Sequence, residues 1–195
     1  MPEVEVPNTE ELEEVKGKAF SRRVALVTAV YAVFLAITSL GGSKAMKEML
    51  LSQQQASDQW SFYQAKVIRE HLYRTQKINM EMELRERGIS MKPEVKKEFE
   101  NRIQKLGDEE GRYNQEKKEI EKEAKSLEKE RDQNRNKDPY FEYAEAFLQI
   151  SIILASIAIL STSGPVFLFS LITALLGCIL SFNGFFLIFR IPFLG

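Results

Sequence analysis

Cysteine and histidine are almost missing from this sequence of 195 residues, which has only Cys178 and His71. One thiol cannot form a disulfide within the chain, so cysteine content does not indicate a redox compartment. Cysteine and histidine are also too few to build a zinc site by themselves. Cysteine–histidine or serine–histidine catalysis would depend on His71, which lies in a charged helical segment. We therefore predict no catalytic, cofactor-binding or metal-binding residues, and we expect a protein that is not an enzyme.

An excess of either charge is also absent, because 27 Lys and Arg residues accompany 28 Asp and Glu residues. Nucleic-acid binding, which depends on clustered basic residues, is therefore not indicated. The charges are nevertheless segregated: residues 44–145 carry 22 basic and 22 acidic side chains, and residues 146–189 carry none. A charge at the centre of a bilayer costs about 2.5–3.5 kcal/mol or more, so this segregation indicates an integral membrane protein.

Three hydrophobic runs are long enough to cross a bilayer, since about 20 helical residues span about 30 Å. The first is residues 24–43, which exceeds the apolar region of about 7–15 residues in a signal peptide. Two more form a helical hairpin over residues 146–189, with a turn at 161–165 that contains Gly164-Pro165. A buried hairpin of a soluble protein is disfavoured because this segment has no polar face. The sequence predicts an all-α membrane protein with about three transmembrane helices.

The segment between the spans, residues 44–138, is rich in Glu, Lys, Arg, Gln and Met, which favour helix. Gly88 and Pro93 are typical of the end of one helix and the start of the next, so we place a turn at about residues 88–93. We predict a long antiparallel coiled-coil hairpin outside the bilayer. Residues 1–23 form an acidic N-terminal tail that ends in a basic collar.

The second half of the charged segment has a clear coiled-coil seam, with alternating spacings of four and three residues. Its members are Phe99, Ile103, Leu106, Glu110, Tyr113, Lys117, Ile120, Ala124 and Leu127. Because this register persists across Gly107 and Gly111, we predict a continuous helix there.

The first half suggests one helix from the first span to about Arg87. A stripe of small residues in the span predicts close helix packing: Ala25, Ala29, Ala32, Ala36 and Ser39. In phase with this stripe follow Ser43, Met46, Leu50, Trp60, Val67, His71 and Ile78. We predict that this side of the helix is its packing face.

Two segments resemble a family of bacterial membrane proteins known as domain of unknown function 4337. They are Arg23-Val24-Ala25 at the start of the first span and the run WSFYQAKVIRE at residues 60–70. The resemblance covers nearly the whole chain and implies the same layout of tail, span, charged helices and terminal hairpin. It implies a location in the bacterial cytoplasmic (inner) membrane, and it implies no activity.

Aromatic, arginine and apolar residues in and beside this run form a candidate interface, since such residues are favoured at protein contacts. They are Trp60, Tyr63, Gln64, Val67, Ile68, Arg69, His71 and Leu72. Two interpretations remain open: packing within the helical hairpin, or a surface that binds another subunit or partner. Tyr63, Ile68 and Leu72 widen the apolar surface beyond what one antiparallel helix covers, so we expect a homo-oligomer.

Two functional hypotheses follow. The first is a membrane-anchored coiled-coil structural or interaction protein, acting as a self-associating scaffold or accessory subunit. The alternative is a subunit of an oligomeric channel or transporter whose spans line water through polar side chains. These side chains are Ser156, Thr162, Ser170, Thr173, Ser181 and Asn183. Buried charges that mark an ion path are missing from the spans, which favours the first hypothesis.

The charges beside the spans give conflicting signals about orientation. Lys16, Lys18, Arg22 and Arg23 precede the first span and favour a cytoplasmic N-terminus. Lys129, Arg131, Arg135 and Lys137 precede the second span and favour a cytoplasmic hairpin. Because the first span usually dominates, we predict a cytoplasmic N-terminus. The charged hairpin then lies on the outer side, where it would meet a membrane or periplasmic protein partner.

Overall fold

The computed structural model describes residues 9–190, with side chains described from residue 16. Four helices follow one another: α1 (Thr9–Arg87), α2 (Pro93–Arg135), α3 (Asp138–Ser161) and α4 (Gly164–Phe186). No strand occurs among residues 9–190. The all-helical fold that the sequence predicts is confirmed. Residues 9–23 of the predicted tail belong to α1, and residues 1–8 lie outside the described residues.

Three helical stretches within the described residues are long and apolar enough to cross a membrane: α1, the run Pro93–Ser161 and α4. The chain divides into two compact units. We call residues up to Glu48 and from Gln133 onwards the apolar unit, and Met49–Asp132 the charged unit. Helix α1 contributes to both units.

The core of the apolar unit forms where α1, α3 and α4 converge. Val24 and Tyr31 of α1 are buried with Ala155 of α3 and Ala174 of α4. The ring of Phe20 packs edge-on against Phe167, with 5.9 Å between ring centroids. Small residues on α3 and α4 allow the larger side chains of α1 to enter the space between these two helices.

Hydroxyl groups also join the three helices of the apolar unit. Tyr31 Oη and Ser170 Oγ lie 3.4 Å apart, and Thr38 Oγ1 and Ser181 Oγ lie 2.8 Å apart. Ser151 Oγ donates a hydrogen bond to Thr173 Oγ1 over 2.8 Å. Such bonds contribute about 0.6 kcal/mol on average between helices in lipid, and they leave these polar groups satisfied inside the unit.

Glycine permits a close contact between α3 and α4. A Cβ on Gly177 would lie 2.9 Å from Leu148 Cγ and 3.1 Å from the carbonyl oxygen of Ala144. Leu148 is fully buried. Helices α3 and α4 therefore approach at a distance that a larger residue at position 177 does not fit.

The segment that follows α4 is held by hydrogen bonds from the buried side chains of Asn183 and Tyr140. Leu187, with φ of 47°, ends the helix in the left-handed region. Asn183 then accepts a hydrogen bond from Phe189 N and donates one to Phe189 O, each over 2.8 Å. Tyr140 Oη donates to the same carbonyl over 3.1 Å, so this segment is fixed to the first turn of α3.

The α2 register predicted from the sequence is confirmed. Every predicted seam position from Phe99 to Leu127 is buried or half-buried, and α2 continues through Gly107 and Gly111.

The α1 register predicted from the sequence is wrong by one residue. Ala25, Ala29, Ala32 and Ala36 are exposed, as are Leu50 and His71. Ser39, Trp60 and Val67 of the predicted face are half-buried. The seam itself lies one position earlier and consists of Val24, Thr28, Tyr31, Leu35, Thr38, Gly42, Ala45, Met49, Ser52, Ala56, Gln59, Tyr63, Lys66, Glu70, Tyr73, Lys77, Met80 and Leu84. Many of these residues are polar, and several find partners on other helices. A search for apolar periodicity therefore selects the neighbouring positions instead.

We predict that Gly177→Ala destabilises the protein by about 1–3 kcal/mol, because the added methyl group overpacks the contact with Leu148. Thermal unfolding in detergent, followed by circular dichroism, measures the change. Gly164→Ala is the matched control, since a Cβ at Gly164 meets nothing within 4 Å. Equal melting temperatures for the two variants would contradict the close contact.

Candidate interaction surface

The charged unit consists of two helices whose contacts run in opposite directions. Gln53 of α1 accepts a hydrogen bond from Arg131 of α2 over 2.9 Å. Further along α1, Lys66 pairs with Glu116, and Lys77 pairs with Glu110 at 3.5 Å. The residue numbers of the α2 partners decrease as those of the α1 partners increase, so α1 and α2 are antiparallel in this unit.

A buried carboxylate lies in the seam between these helices. The side chain of Glu70 is 3% exposed and forms an ion pair with Lys117 of α2. Arg74 Nη2 approaches the other carboxylate oxygen at 3.4 Å. Isolated burial of a charge is strongly unfavourable, so this pairing is what allows a glutamate in the seam.

A second ionic cluster surrounds Glu110, whose carboxylate accepts hydrogen bonds from Arg74 Nε at 2.7 Å and Lys77 Nζ at 3.5 Å. The hydrogen bond from Arg74 is the main reason that the pKa of Glu110 lies below its ordinary value. Lys66 lowers the pKa of Glu116 in the same way. Both carboxylates therefore stay ionised in the folded state at a lower pH than they would in an unfolded chain.

Tyr113 is the largest buried side chain of this seam, with 6% exposure. Its ring stacks on Tyr73, with 5.4 Å between centroids and an angle of 17°. Three cations surround the ring: Lys66 at 5.1 Å, Arg112 at 5.0 Å and Arg69 at 6.0 Å from its centroid. Hydrogen bonds from Arg112 and then Arg69 lower the pKa of the Tyr113 hydroxyl.

The predicted interface residues divide between two faces of α1. Trp60, Tyr63 and Val67 are half-buried and lie towards α2. Trp60 Nε1 donates a hydrogen bond to Glu128 over 3.0 Å, and its ring packs edge-on against Tyr63. These three residues therefore support packing within the chain.

The other five predicted residues are exposed on α1: Gln64, Ile68, Arg69, His71 and Leu72. Ile68 is 68% exposed and Leu72 is 54% exposed. Phe62, which lies outside the predicted set, is 59% exposed on α1. Its place within the WSFYQAKVIRE run was the available signal. Arg69 reaches the Tyr113 ring of α2 although it is exposed. We therefore call the other five residues, Phe62, Gln64, Ile68, His71 and Leu72, the outer patch.

Metal binding finds no support within residues 9–190, where no group of three or more His, Cys, Asp or Glu side chains is arranged to hold an ion.

We predict that Glu70→Ala destabilises the charged unit by about 2–3 kcal/mol, because it leaves Lys117 without its anion. A fully buried pair would cost about 3–5 kcal/mol, but the side chain of Lys117 remains 22% exposed. Chemical unfolding, followed by the helical circular dichroism signal, measures the change.

Two controls accompany this variant. Glu86→Ala removes an exposed carboxylate and should change stability by less than about 0.5 kcal/mol. Replacing both Glu70 and Lys117 with Met should recover most of the loss, since it removes both charges. A double variant as unstable as Glu70→Ala would show that the ion pair is not the cause.

We predict that the charged unit loses stability as the pH falls below about 4.5, the ordinary glutamate value. A pKa that is lowered by folding contributes stability above the unfolded-state value, and this contribution disappears as the carboxylate is protonated. Glu110→Gln should therefore lose less stability between neutral and acidic pH than the wild type does. Glu86→Gln should behave like the wild type, and an identical acid response of all three proteins would contradict the prediction.

Comparison with known proteins identifies the family that the sequence resembles. The family model Domain of unknown function (DUF4337) matches residues 20–187. No curated protein and no solved structure matches the chain. The match covers residues of both units and all of the described helices except the start of α1, and so the chain belongs to the DUF4337 family.

Proposed function

We propose that this protein is a multi-pass membrane scaffold with a structural rather than an enzymatic role. In this proposal, α1, α3 and α4 cross the bilayer, and the charged unit is an antiparallel coiled coil outside it. The lengths and hydropathy of the three apolar stretches support insertion. The alternation of four and three residues along the buried side of α1 and of α2 supports the coiled coil.

The observation that carries the proposal is the outer patch. Phe62, Ile68 and Leu72 expose more than half of their surface although α2 already covers the seam beside them. Exposed apolar clusters on an otherwise charged helix mark a surface for association. Gln64 and His71 are exposed beside these residues and provide polar groups for the rim of an interface.

We propose that a second copy of the chain binds the outer patch. Copies inserted into one bilayer share an orientation, so their α1 helices are related by an axis along the membrane normal. In the apolar unit, Ala25, Ala29, Ala32 and Ala36 are also exposed, each one position after a residue of the seam. Small residues permit close packing of helices in lipid. Two α1 helices then have compatible surfaces in the bilayer and in the charged unit.

For orientation, we propose a cytoplasmic N-terminus and a charged unit on the outer side of the bacterial inner membrane. The four basic residues before the first span support this choice. An accessory role towards another membrane or periplasmic protein would use the same outer patch.

The geometry does not favour the channel alternative. Ser170, Ser181 and Asn183 are buried inside the apolar unit, and Thr173 accepts a hydrogen bond from Ser151. Three of the six polar residues proposed to line water therefore join helices of a single chain, and Asn183 binds the backbone of Phe189. Reconstituted protein that conducts ions would revive this alternative.

We predict that the double variant Ile68→Glu, Leu72→Glu weakens self-association at least about 100-fold, because it replaces apolar contact with like charges. Mass photometry of protein in nanodiscs, over a range of concentrations, measures the particle mass. The wild type should give a closed oligomer and the variant a monomer.

Ile89→Glu is the matched control, since Ile89 is fully exposed and lies outside the outer patch. It should keep the oligomer of the wild type. A monomeric wild type, or an oligomer that survives the double substitution, would overturn self-association through this surface.

A further inference from the structure

A cavity of about 240 Å³ lies in the apolar unit, beside the charged ends of its helices. Part of its lining is apolar and comes from Gly41, Gly184 and the rings of Phe141 and Phe185. A Cβ on Gly41 would lie 2.6 Å from Phe185 and 2.8 Å from Phe141. Glycine at this position therefore lets both rings form a wall of the cavity.

The rest of the lining is polar and includes two lysines. Lys44 Nζ lies 3.7 Å from Glu48, and its side chain is 77% exposed. Lys137 Nζ donates a hydrogen bond over 3.3 Å to Asn134 Oδ1, and Asn134 is 4% exposed. Two ammonium groups and one carboxylate leave one net positive charge at the cavity.

The residues that line the cavity lie where the long apolar runs of the sequence begin or end, which is where a bilayer surface is expected. Lys44 is the first charged residue after the apolar run 24–43, and Lys137 is among the last basic residues before the uncharged segment 146–189. If the proposed insertion of α1 and α3 holds, both ammonium groups lie at the depth of lipid phosphates.

We infer that this cavity binds the headgroup of an anionic phospholipid, with its phosphodiester between Lys44 and Lys137. One phosphodiester carries the single negative charge that neutralises the cavity, and Glu48 disfavours a second anion. The glycerol and upper acyl carbons then contact Phe141 and Phe185. The volume is below the roughly 300–1,000 Å³ of sites for drug-sized ligands, which suits a headgroup whose chains remain in the bilayer. This inference rests on the proposed membrane insertion.

Native mass spectrometry of the full-length protein in detergent, titrated with phosphatidylglycerol, tests the inference. The wild type should retain one phosphatidylglycerol per chain and bind phosphatidylcholine more weakly. Lys44→Gln combined with Lys137→Gln should weaken phosphatidylglycerol binding about 25-fold, about fivefold for each lysine. Lys137→Gln alone should weaken it about fivefold, which keeps the test decisive if the double variant does not fold.

Lys47→Gln is the matched control, because Lys47 is an exposed lysine of α1 that does not line the cavity. It should bind phosphatidylglycerol within about twofold of the wild type. Equal binding of both lipids, unchanged binding by the cavity variants, or inorganic phosphate binding as tightly as the lipid would overturn the inference. Alkaline extraction of membranes tests insertion separately: protein that stays in the membrane but binds no lipid refutes this inference alone.

Discussion

Helix α1 packs against the other helices along one face. This one-sided packing decides which residues of α1 are buried and which remain exposed. In the apolar unit that face carries Val24, Tyr31 and Thr38, and in the charged unit it carries Ala56 and Glu70, all buried. The alanine stripe and the outer patch lie outside this face and remain exposed.

Polar side chains occupy much of the packed face, and each unit satisfies them differently. In the apolar unit, hydroxyl pairs such as Thr38 and Ser181 join helices without introducing charge. In the charged unit, ion pairs such as Glu70 with Lys117 do so. Paired polar groups in a seam often add little net stability, but a shift of register separates them. We infer that these pairs fix the register of α1 against its partners.

The sequence predicted the helices and the seam of α2 because apolar residues mark them clearly. It did not predict the seam of α1, since Lys66, Glu70 and Lys77 belong to that seam, and the adjacent positions contain more apolar residues. The register of α1 depends on residues that are distant in sequence. The periodicity of one helix carries no information about those partners. The same error assigned Gln64 and His71 to the packing face, and both are exposed.

The candidate interface shows this limit most directly. Residue type drew attention to the run around Trp60, and burial divides its members into half-buried and exposed residues. Phe62 was overlooked because it lies outside the predicted register. The exposed members, rather than the whole run, are therefore the residues to test for self-association.

Cysteine crosslinking in native membranes tests most directly whether two α1 helices meet at the outer patch. Cys178 is the only native cysteine, so Cys178→Ser gives a background without thiols. On that background, Leu72→Cys should form a disulfide-linked dimer under mild oxidation, since the bond requires Cα atoms about 4.4–6.8 Å apart. Lys122→Cys, at an exposed position of α2, should remain monomeric. A monomeric Leu72→Cys protein, or equal crosslinking of both variants, would contradict the account.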